Sequence, residues 1–232
     1  MTPRQTTLSF PELRLPPHEG HRLRGYFGNA FREHSPLLHN HLEDGSLRNG
    51  YPLTQYKMID RVPTILGFNE AADVLIKIFA DIEQIHIADQ VLDARAKELT
   101  HDRIAPAFLT DELVSYRLLS PYRGVSQEQY QQWRELTTDR ERFTYIQRAL
   151  VGHLLMVFKG LGIWLEEGQR ILAFPYFRTT LVKMKGHKMT AFTGDFVTNV
   201  DLPDLIGIGK GTSRGFGTIV RQPGLLGMPY QK

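Results

Sequence analysis

A pair of histidines near the N-terminus has the side chains and the spacing for acid-base chemistry. His39 and His41 flank Asn40 in the segment LLHNHLED. An imidazole exchanges protons near neutrality, because its unperturbed pKa is about 6.5. Residues i and i+2 lie on one face only in an extended chain, so both rings can act on one bound group if this segment is not helical.

The same pair permits two other interpretations. Beside Glu43 and Asp44 it could hold zinc or another divalent metal ion, for which imidazole and carboxylate are usual ligands. The two histidines could also be ordinary loop residues without a chemical role. The pair by itself does not choose among proton transfer, metal binding and a structural role.

The second candidate site is a glycine-rich segment close to the C-terminus. Residues 207–217 read GIGKGTSRGFG, five glycines with Lys210 and Arg214. Glycine lets a backbone approach a phosphate closely and turn its amide N–H groups toward it. The segment is not a Walker loop, because Asp204 stands where the first glycine is needed and Gly211 follows the lysine. It is not a dinucleotide-binding fingerprint either, since the third glycine is out of register.

The pattern that does fit is G-Φ-G-x5-G-Φ-G, in which Φ is apolar. Its apolar positions are Ile208 and Phe216. Alternation between glycine and an apolar residue predicts that these two side chains are buried while Lys210 and Arg214 stay outside. A glycine-rich hairpin of this kind can bind an anion or serve only as a structural turn.

Charge and composition narrow the classes of function. Residues 168–232 carry nine Lys and Arg against three Asp and Glu, so a polyanion such as nucleic acid is attracted to this end, unless the cations only solubilise hairpins. The absence of cysteine excludes disulfides, thiolate zinc sites and a cysteine nucleophile. No apolar run approaches the roughly 18 residues that cross a bilayer, and the N-terminus lacks a secretory pattern. We expect a cytoplasmic protein without membrane association.

Residues 1–100 predict a domain of alternating strands and helices. Hydrophobic period and turn residues predict a strand at 6–15, a helix at 21–31, two strands that turn at Asp60-Arg61, a helix at 71–79 and a closing strand at 84–92. This order is βαββαβ, the ferredoxin-like (RRM-like) arrangement.

Residues 101–232 predict a second domain of the same kind. A strand near Leu113 precedes two helices, whose starts are marked by the capping boxes Ser126 with Gln129 and Thr138 with Glu141. A hairpin and a last strand follow, so that the order is βαββ(α)β with the second helix reduced to one turn or lost. We therefore predict an α+β fold of two tandem ferredoxin-like domains.

Four segments resemble one known family. YPLTQYKMI, YRLLSPYRG, KGLGIWL and LPDLIGIGKGTSRGFGTI are similar to the precursor-RNA processing endoribonucleases of CRISPR systems, the Cas-six family of the repeat-associated (RAMP) superfamily. The last segment is the most specific, and the resemblance covers nearly the whole chain. It implies tandem ferredoxin-like domains, CRISPR repeat RNA as the substrate, and catalysis without a metal ion or another cofactor.

The resemblance also assigns roles to the candidate residues. Enzymes of this family usually place a catalytic histidine after the first helix, where His39 and His41 lie, and several add a tyrosine or a lysine, for which Tyr51 and Lys57 are the nearest candidates. The implied nucleophile is the RNA's own 2′-hydroxyl, with His41 as general base and His39 as general acid or phosphate stabiliser. The residues expected to bind RNA are Arg22, Arg24, Lys57, Gly207, Gly209, Lys210, Gly211, Arg214, Gly215 and Gly217.

The expected partners are CRISPR repeat RNA and the guide RNA made from it. The resemblance further implies association with subunits of a CRISPR effector complex. Two other functions are compatible with the same residues. A non-catalytic RNA-binding scaffold subunit of that complex would use the same fold but would not need the histidine pair. A small-molecule metal hydrolase would use His39 and His41 as metal ligands.

Overall fold

The computed structural model describes residues 2–39, 50–184 and 187–222, which form two compact units. The first unit consists of the described residues up to Ile104, together with Gly160–Gly162 and Thr212–Gly215. The second consists of Ala105–Lys159, Ile163–Gly211 and the described residues from Phe216 onward. None of the helices in these ranges is long and apolar enough to cross a bilayer.

The first unit is built on a four-stranded antiparallel sheet. Its elements are β1 (Arg4–Ser9), α1 (Gly20–Ala30), β2 (Thr54–Ile59), β3 (Val62–Phe68), α2 (Glu70–Ile78), β4 (Gln84–Ile87), β5 (Gln90–Asp93) and β6 (Glu98–Arg103), with 3-10 turns at Pro17–Glu19 and Pro36–His39. The strand order is β2-β3-β1-β6, which is the ferredoxin-like order predicted from the sequence. The turn between β2 and β3 lies at Asp60-Arg61 as predicted, since both residues have positive φ angles of 49° and 70°.

The closing strand of this sheet was predicted at the wrong place. Residues 84–92 form a separate hairpin, β4–β5, because the chain turns back at Ala88, whose φ is 52°. The strand that completes the sheet is β6, which pairs with β1 along its whole length. Its sequence, ELTHDR, lies at a sheet edge and exposes most of its side chains, so it carries no apolar alternation that a sequence pattern could detect.

The core of the first unit lies between α1 and the sheet. Leu23 and Phe27, one helical turn apart, are fully buried, and the Phe27 ring packs 6.2 Å from Phe10 and 6.0 Å from Tyr56 between centroids. This packing sets the position of α1 against β2. It therefore sets the position of every side chain that α1 and β2 present to the candidate site.

The second unit repeats the plan with different proportions. Its elements are β7 (Ala107–Phe108), β8 (Val114–Leu118), α3 (Gln127–Glu135), α4 (Asp139–Leu161), β9 (Ala173–Met184), β10 (His187–Thr198), β11 (Val200–Asp201) and β12 (Ile219–Gln222). The main sheet has the order β12-β8-β10-β9, again ferredoxin-like, and β7 pairs with β11. Between β10 and β12 the chain has one 3-10 turn, Thr212–Arg214, where the second helix of the fold would stand. The predicted loss of that helix and the α+β fold class are confirmed.

Local capping starts the two helices of the second unit. Ser126 and Gln129 exchange side-chain and backbone hydrogen bonds of 3.2 and 2.9 Å, and Thr138 and Glu141 do the same at 3.2 and 3.0 Å. Both predicted capping boxes are confirmed. Each satisfies amide groups that the first turn of a helix leaves without a partner.

Candidate functional site

His39 is held in place from three sides within the first unit. The Tyr56 hydroxyl donates a 2.8 Å hydrogen bond to the carbonyl oxygen of Leu38, and the Arg24 guanidinium donates to the carbonyl oxygen of His39. The imidazole lies against the backbone of α1, since a Cβ atom placed on Gly28 would be 2.5 Å from its Cγ atom. Residues 38 and 39 are therefore positioned by β2 and α1 together.

The other members of the histidine constellation lie outside the described residues. These are His41 and the two carboxylates of the metal-binding interpretation, Glu43 and Asp44. Across residues 2–39, 50–184 and 187–222, no group of three or more His, Asp or Glu side chains is arranged to hold a metal ion. The metal-binding interpretation thus depends on residues that the structure does not describe.

Arg24 lies beside both candidate sites. Burial lowers the pKa of its guanidinium, and the positive charge of Arg214 lowers that pKa further. One nitrogen donates to His39, whereas the buried Nε atom has no hydrogen-bond partner among the described residues. A phosphate placed here would meet a donor and two positive charges.

The tip of the glycine-rich segment belongs to the first unit. A Cβ atom on Gly20 would lie 2.9 Å from the carbonyl oxygen of Arg214, and one on Gly215 would lie 2.9 Å from the carbonyl oxygen of Tyr56. The backbone at Arg214 and Gly215 therefore runs against the start of α1 and the middle of β2. Gly215 also has a φ of +88°, which disfavours any side chain there.

Lys57 follows Tyr56 on β2 and is almost fully buried, with 1% of its surface exposed. Because successive residues of a strand point to opposite faces, its side chain leaves the sheet on the face away from the Tyr56 ring. Burial lowers the pKa of its ammonium group to about 7. Lys57 can therefore give or accept a proton near neutrality, a property that its position in the sequence does not reveal.

Two further predicted residues have partners in the first unit. Tyr51 is 5% exposed, its hydroxyl accepts a 2.7 Å hydrogen bond from Gln55, and its ring carbons would lie 2.8 Å from a Cβ atom placed on Gly160. Arg22 forms an ion pair of 2.8 Å with the buried carboxylate of Glu19. Packing accounts for Tyr51 and charge pairing for Arg22; their roles in catalysis and RNA binding stay predictions.

The stem of the glycine-rich segment belongs to the second unit, where its glycines are required by conformation and packing. Gly209, Gly211 and Gly217 have φ angles of +85°, +81° and +62°. A Cβ atom on Gly217 would lie 2.0 Å from the carbonyl oxygen of Ile208, so a side chain there would force the backbone to shift. The glycines thus let the chain fold tightly on itself.

Much of the backbone of this segment is already hydrogen-bonded. Five of its amides donate to carbonyl oxygens within the protein, those of Ile208, Lys210, Gly215, Phe216 and Gly217. These amides are not available to a phosphate in this conformation, which leaves the Lys210 and Arg214 side chains as the main candidates for anion contact. The two apolar side chains of the segment differ in burial. Ile208 is fully buried, as predicted. Phe216 is only partly buried, and its ring centroid lies 5.5 Å from the Arg123 guanidinium.

The side chains that surround this stem are functional candidates that sequence patterns did not indicate. Tyr122 packs against Gly209, and its hydroxyl lies 2.7 Å from Nδ1 of His153. His153, on α4, is thus hydrogen-bonded and partly buried. The signal for Tyr122 and Arg123 was present in the segment YRLLSPYRG, but only the fold shows what that segment touches.

Comparison with known proteins gives consistent matches. Residues 1–105 match the family model of the Cas6b N-terminal domain, and residues 108–222 match that of the Cas6b C-terminal domain. An uncharacterized protein of Methanocaldococcus jannaschii is 30% identical over 113 residues, which are 49% of this chain and 76% of that protein.

Solved structures are similar over almost the full length. A crystal structure of Cas6b has a TM-score of 0.87 and 27% identity, covering 96% of this chain and 100% of that chain. A structure of the CRISPR RNA processing endoribonuclease Cas6b has a TM-score of 0.74 and 25% identity with the same coverage. Csf5, a type IV Cas6 crRNA endonuclease, shares the fold at a TM-score of 0.58 and 14% identity, covering 96% of this chain and 100% of that chain.

Proposed function

Because the chain belongs to the Cas6b family, we propose that it is an endoribonuclease that cuts CRISPR repeat RNA in precursor transcripts to release guide RNAs. The relative solved as a CRISPR RNA processing endoribonuclease supports this substrate. The observation that carries the proposal is the placement of Arg24, which donates to the carbonyl oxygen of His39 and whose pKa is lowered by the positive charge of Arg214 in the glycine-rich segment. A proton-transfer group and a cationic phosphate site meet at this residue.

The reaction we propose uses the RNA's own 2′-hydroxyl as the nucleophile. His41 removes the 2′-hydroxyl proton, the 2′-oxygen bonds to phosphorus, and the bond from phosphorus to the 5′-oxygen breaks. His39 donates a proton to that departing oxygen or stabilises the phosphate, so the products are a 2′,3′-cyclic phosphate, or its opened form, and a 5′-hydroxyl. The transfer needs no metal ion and no other cofactor, and acid-base catalysis of this kind contributes roughly 10² to 10⁴-fold.

The neighbouring cations complete the proposed site. Arg24 and Arg214 neutralise the phosphate charge that develops during the displacement. Lys57, whose pKa burial lowers to about 7, is suited to a proton transfer as well as to charge stabilisation. Lys210 binds a further phosphate of the RNA. Binding is therefore expected to weaken with salt, with a log-log slope of about −0.7 for each phosphate contact on a single strand.

The test is cutting of repeat RNA in EDTA by three proteins: the wild type, a His39→Ala, His41→Ala double variant, and a His86→Ala control, whose side chain is exposed on β4. A second RNA carries one 2′-deoxy substitution at the cut site. We expect the wild type and the control to cut in EDTA, the double variant to be inactive, and the deoxy RNA to resist. Cutting of the deoxy RNA would disprove the nucleophile.

The same experiment separates the alternatives. A scaffold subunit would bind the RNA and cut none of it, whichever variant is used. A metal hydrolase would lose its activity in EDTA and contain zinc or another divalent ion when purified. Full activity of the double variant would move the active site away from the histidine pair.

A further inference from the structure

The segment Ser120–Pro121–Tyr122–Arg123 follows β8 in the chain and is hydrogen-bonded to the stem of the glycine-rich segment. The amide of Gly217 donates to the carbonyl oxygen of Pro121, and the amide of Lys210 donates to that of Arg123, both at 2.9 Å. The Ser120 hydroxyl oxygen accepts a 2.9 Å hydrogen bond from the amide of Thr218, the residue after Gly217. Residues 120–123 thus bind both arms of the stem, through the main-chain carbonyl oxygens of Pro121 and Arg123 and the side chain of Ser120.

The Tyr122 side chain packs directly against the stem at Gly209. A Cβ atom on Gly209 would lie 2.5 Å from a carbon of the Tyr122 ring, so the ring occupies the space that a side chain would need. Gly211 and Phe216 are covered by Arg123, whose Nη1 atom lies 3.0 Å from a Cβ atom placed on Gly211. The stem therefore rests on two adjacent side chains of one segment.

Tyr122 is itself fixed by the body of the second unit. Its backbone pairs with Phe192 of β10 through hydrogen bonds of 2.7 and 2.8 Å, and its fully buried ring packs 5.4 Å from Phe177 between centroids. Its hydroxyl lies 2.7 Å from Nδ1 of His153 on α4. A helix and a strand of the core thus determine where the Tyr122 ring can lie.

The chemistry of His153 fits this arrangement. Burial lowers its pKa to about 4, with a smaller contribution from the positive charge of Lys210. The ring is therefore uncharged at neutral pH, and its Nδ1 atom can accept a hydrogen bond from the Tyr122 hydroxyl. The positive charge of Lys210 thus acts on the same histidine that holds the Tyr122 hydroxyl.

We propose that Tyr122 is a positioning residue for RNA binding: held by His153 and β10, its ring sets the path of the stem and thereby the point at which Lys210 meets an RNA phosphate. This inference rests on the proposed function, because it takes Lys210 to be a phosphate contact. Tyr122 itself touches no RNA. It acts by restricting the conformations that residues 209–211 can adopt. The segment around Lys210 therefore loses less conformational entropy when RNA binds.

A purely structural Tyr122 would behave differently. It would stabilise the second unit, and its loss would lower the melting temperature without changing which cations contact RNA. A positioning role predicts instead that the contribution of Lys210 to RNA affinity disappears when the ring is removed. Two residues that act through one contact give a non-additive double-mutant cycle.

The experiment is such a cycle with Tyr122→Leu, Lys210→Met and the double variant. Dissociation constants are measured with repeat RNA that carries a 2′-deoxy substitution at the cut site, at several salt concentrations and at a temperature at which each variant is folded. The matched control is Tyr176→Leu with its Lys210→Met double, because Tyr176 lies on β9 in the same unit and is 51% exposed.

We expect Lys210→Met to weaken binding and to reduce the magnitude of the salt slope by about 0.7, the loss of one phosphate contact. Tyr122→Leu alone should do the same, and the double variant should bind no more weakly than Tyr122→Leu. The coupling should be about twofold or more in the dissociation constant. The Tyr176→Leu control should leave affinity and slope unchanged, and its effects should be additive with those of Lys210→Met.

Two results would overturn the inference in distinguishable ways. Additive losses in the Tyr122 cycle would overturn it while leaving the RNA contact of Lys210 intact. Unchanged affinity in Lys210→Met would overturn it together with the proposed role of the glycine-rich segment. If Tyr122→Leu does not fold, Tyr122→Phe replaces it, since this variant keeps the ring and loses only the hydrogen bond to His153. A smaller coupling of the same sign is then expected. Absence of any coupling would overturn the inference.

Discussion

A missing side chain positions His39. Gly28 is buried on α1, and the imidazole occupies the space that its side chain would fill. Arg24 and Tyr56 hold the adjoining carbonyl oxygens, so the ring and its backbone are fixed by different parts of the unit. For the role in cutting that we propose for His39, this restricts the orientation in which the ring meets the substrate, and errors of about 1 Å in the position of a catalytic group cost about 100-fold in rate.

Replacing Gly28 by alanine should therefore impair cutting more than folding. The added Cβ atom would lie 2.5 Å from the His39 ring, which must leave its position. Gly25→Ala on the same helix is the control, since nothing lies within 4 Å of a Cβ atom there. We expect the rate of RNA cutting to fall at least about tenfold in Gly28→Ala and to stay unchanged in Gly25→Ala, with thermal melts recorded for both. Equal cutting rates in the two variants would contradict this positioning of His39.

The glycine-rich segment acts as an element whose shape depends on its glycines. Four of its five glycines have φ angles that disfavour other residues, at positions 209, 211, 215 and 217. Gly217 has the strictest requirement, because its α-carbon faces the carbonyl oxygen of Ile208 across the stem. The conformation that brings Lys210 and Arg214 to their places is therefore encoded mainly by residues without side chains.

Gly217→Ala is expected to destabilise the second unit and to weaken RNA binding together. Its Cβ atom would lie 2.0 Å from the Ile208 oxygen at a φ of +62°, and strain of this kind costs about 1 to 3 kcal/mol. Gly152→Ala, on α4 with open space around the added atom, should be neutral or slightly stabilising. Denaturant unfolding and RNA titration of both variants test this, and equal behaviour would show that the stem tolerates side chains.

The buried Lys57 should make the stability of the whole molecule depend on pH. The Lys57 ammonium group keeps its proton up to the ordinary pKa of 10.5 in the unfolded chain, but only to about 7 in the folded one. Between these values the unfolded state binds more protons, so the free energy of unfolding rises with pH from about 7 to 10.5. The protein thus keeps a residue that lowers its stability at neutral pH, as residues retained for activity often do.

Lys57→Met should remove this pH dependence. We expect the free energy of unfolding of the variant at pH 7 to increase, by at most about 1.4 kcal/mol for each unit by which burial lowers the lysine pKa. We also expect the variant to lose cutting activity. Lys77→Met is the control, because Lys77 is exposed on α2. Chemical unfolding at several values between pH 7 and 10.5 measures the effect, and parallel curves for wild type and Lys57→Met would argue against a lowered pKa.

Local rules in the sequence determined the helices, the capping boxes, the turn at Asp60-Arg61 and the order of elements that makes two ferredoxin-like units. Each of these depends on residues close together along the chain, so a pattern of a few positions is sufficient. The closing strand β6 is not detectable in this way, because it is polar and is specified by pairing with β1 at the start of the chain.

Only the tertiary structure decided which candidate residues come together and in what state. In the folded chain the His39 ring packs against Gly28, and the charge of Arg214 acts on Arg24. Lys57 and Tyr51 are buried, and five amides of the glycine-rich segment are hydrogen-bonded within the protein. Burial and long-range contact set pKa values, available donors and side-chain positions, and these arise from residues distant in the chain. The sequence therefore determined which chemical groups the protein possesses, and the folded contacts decided which of them can act together.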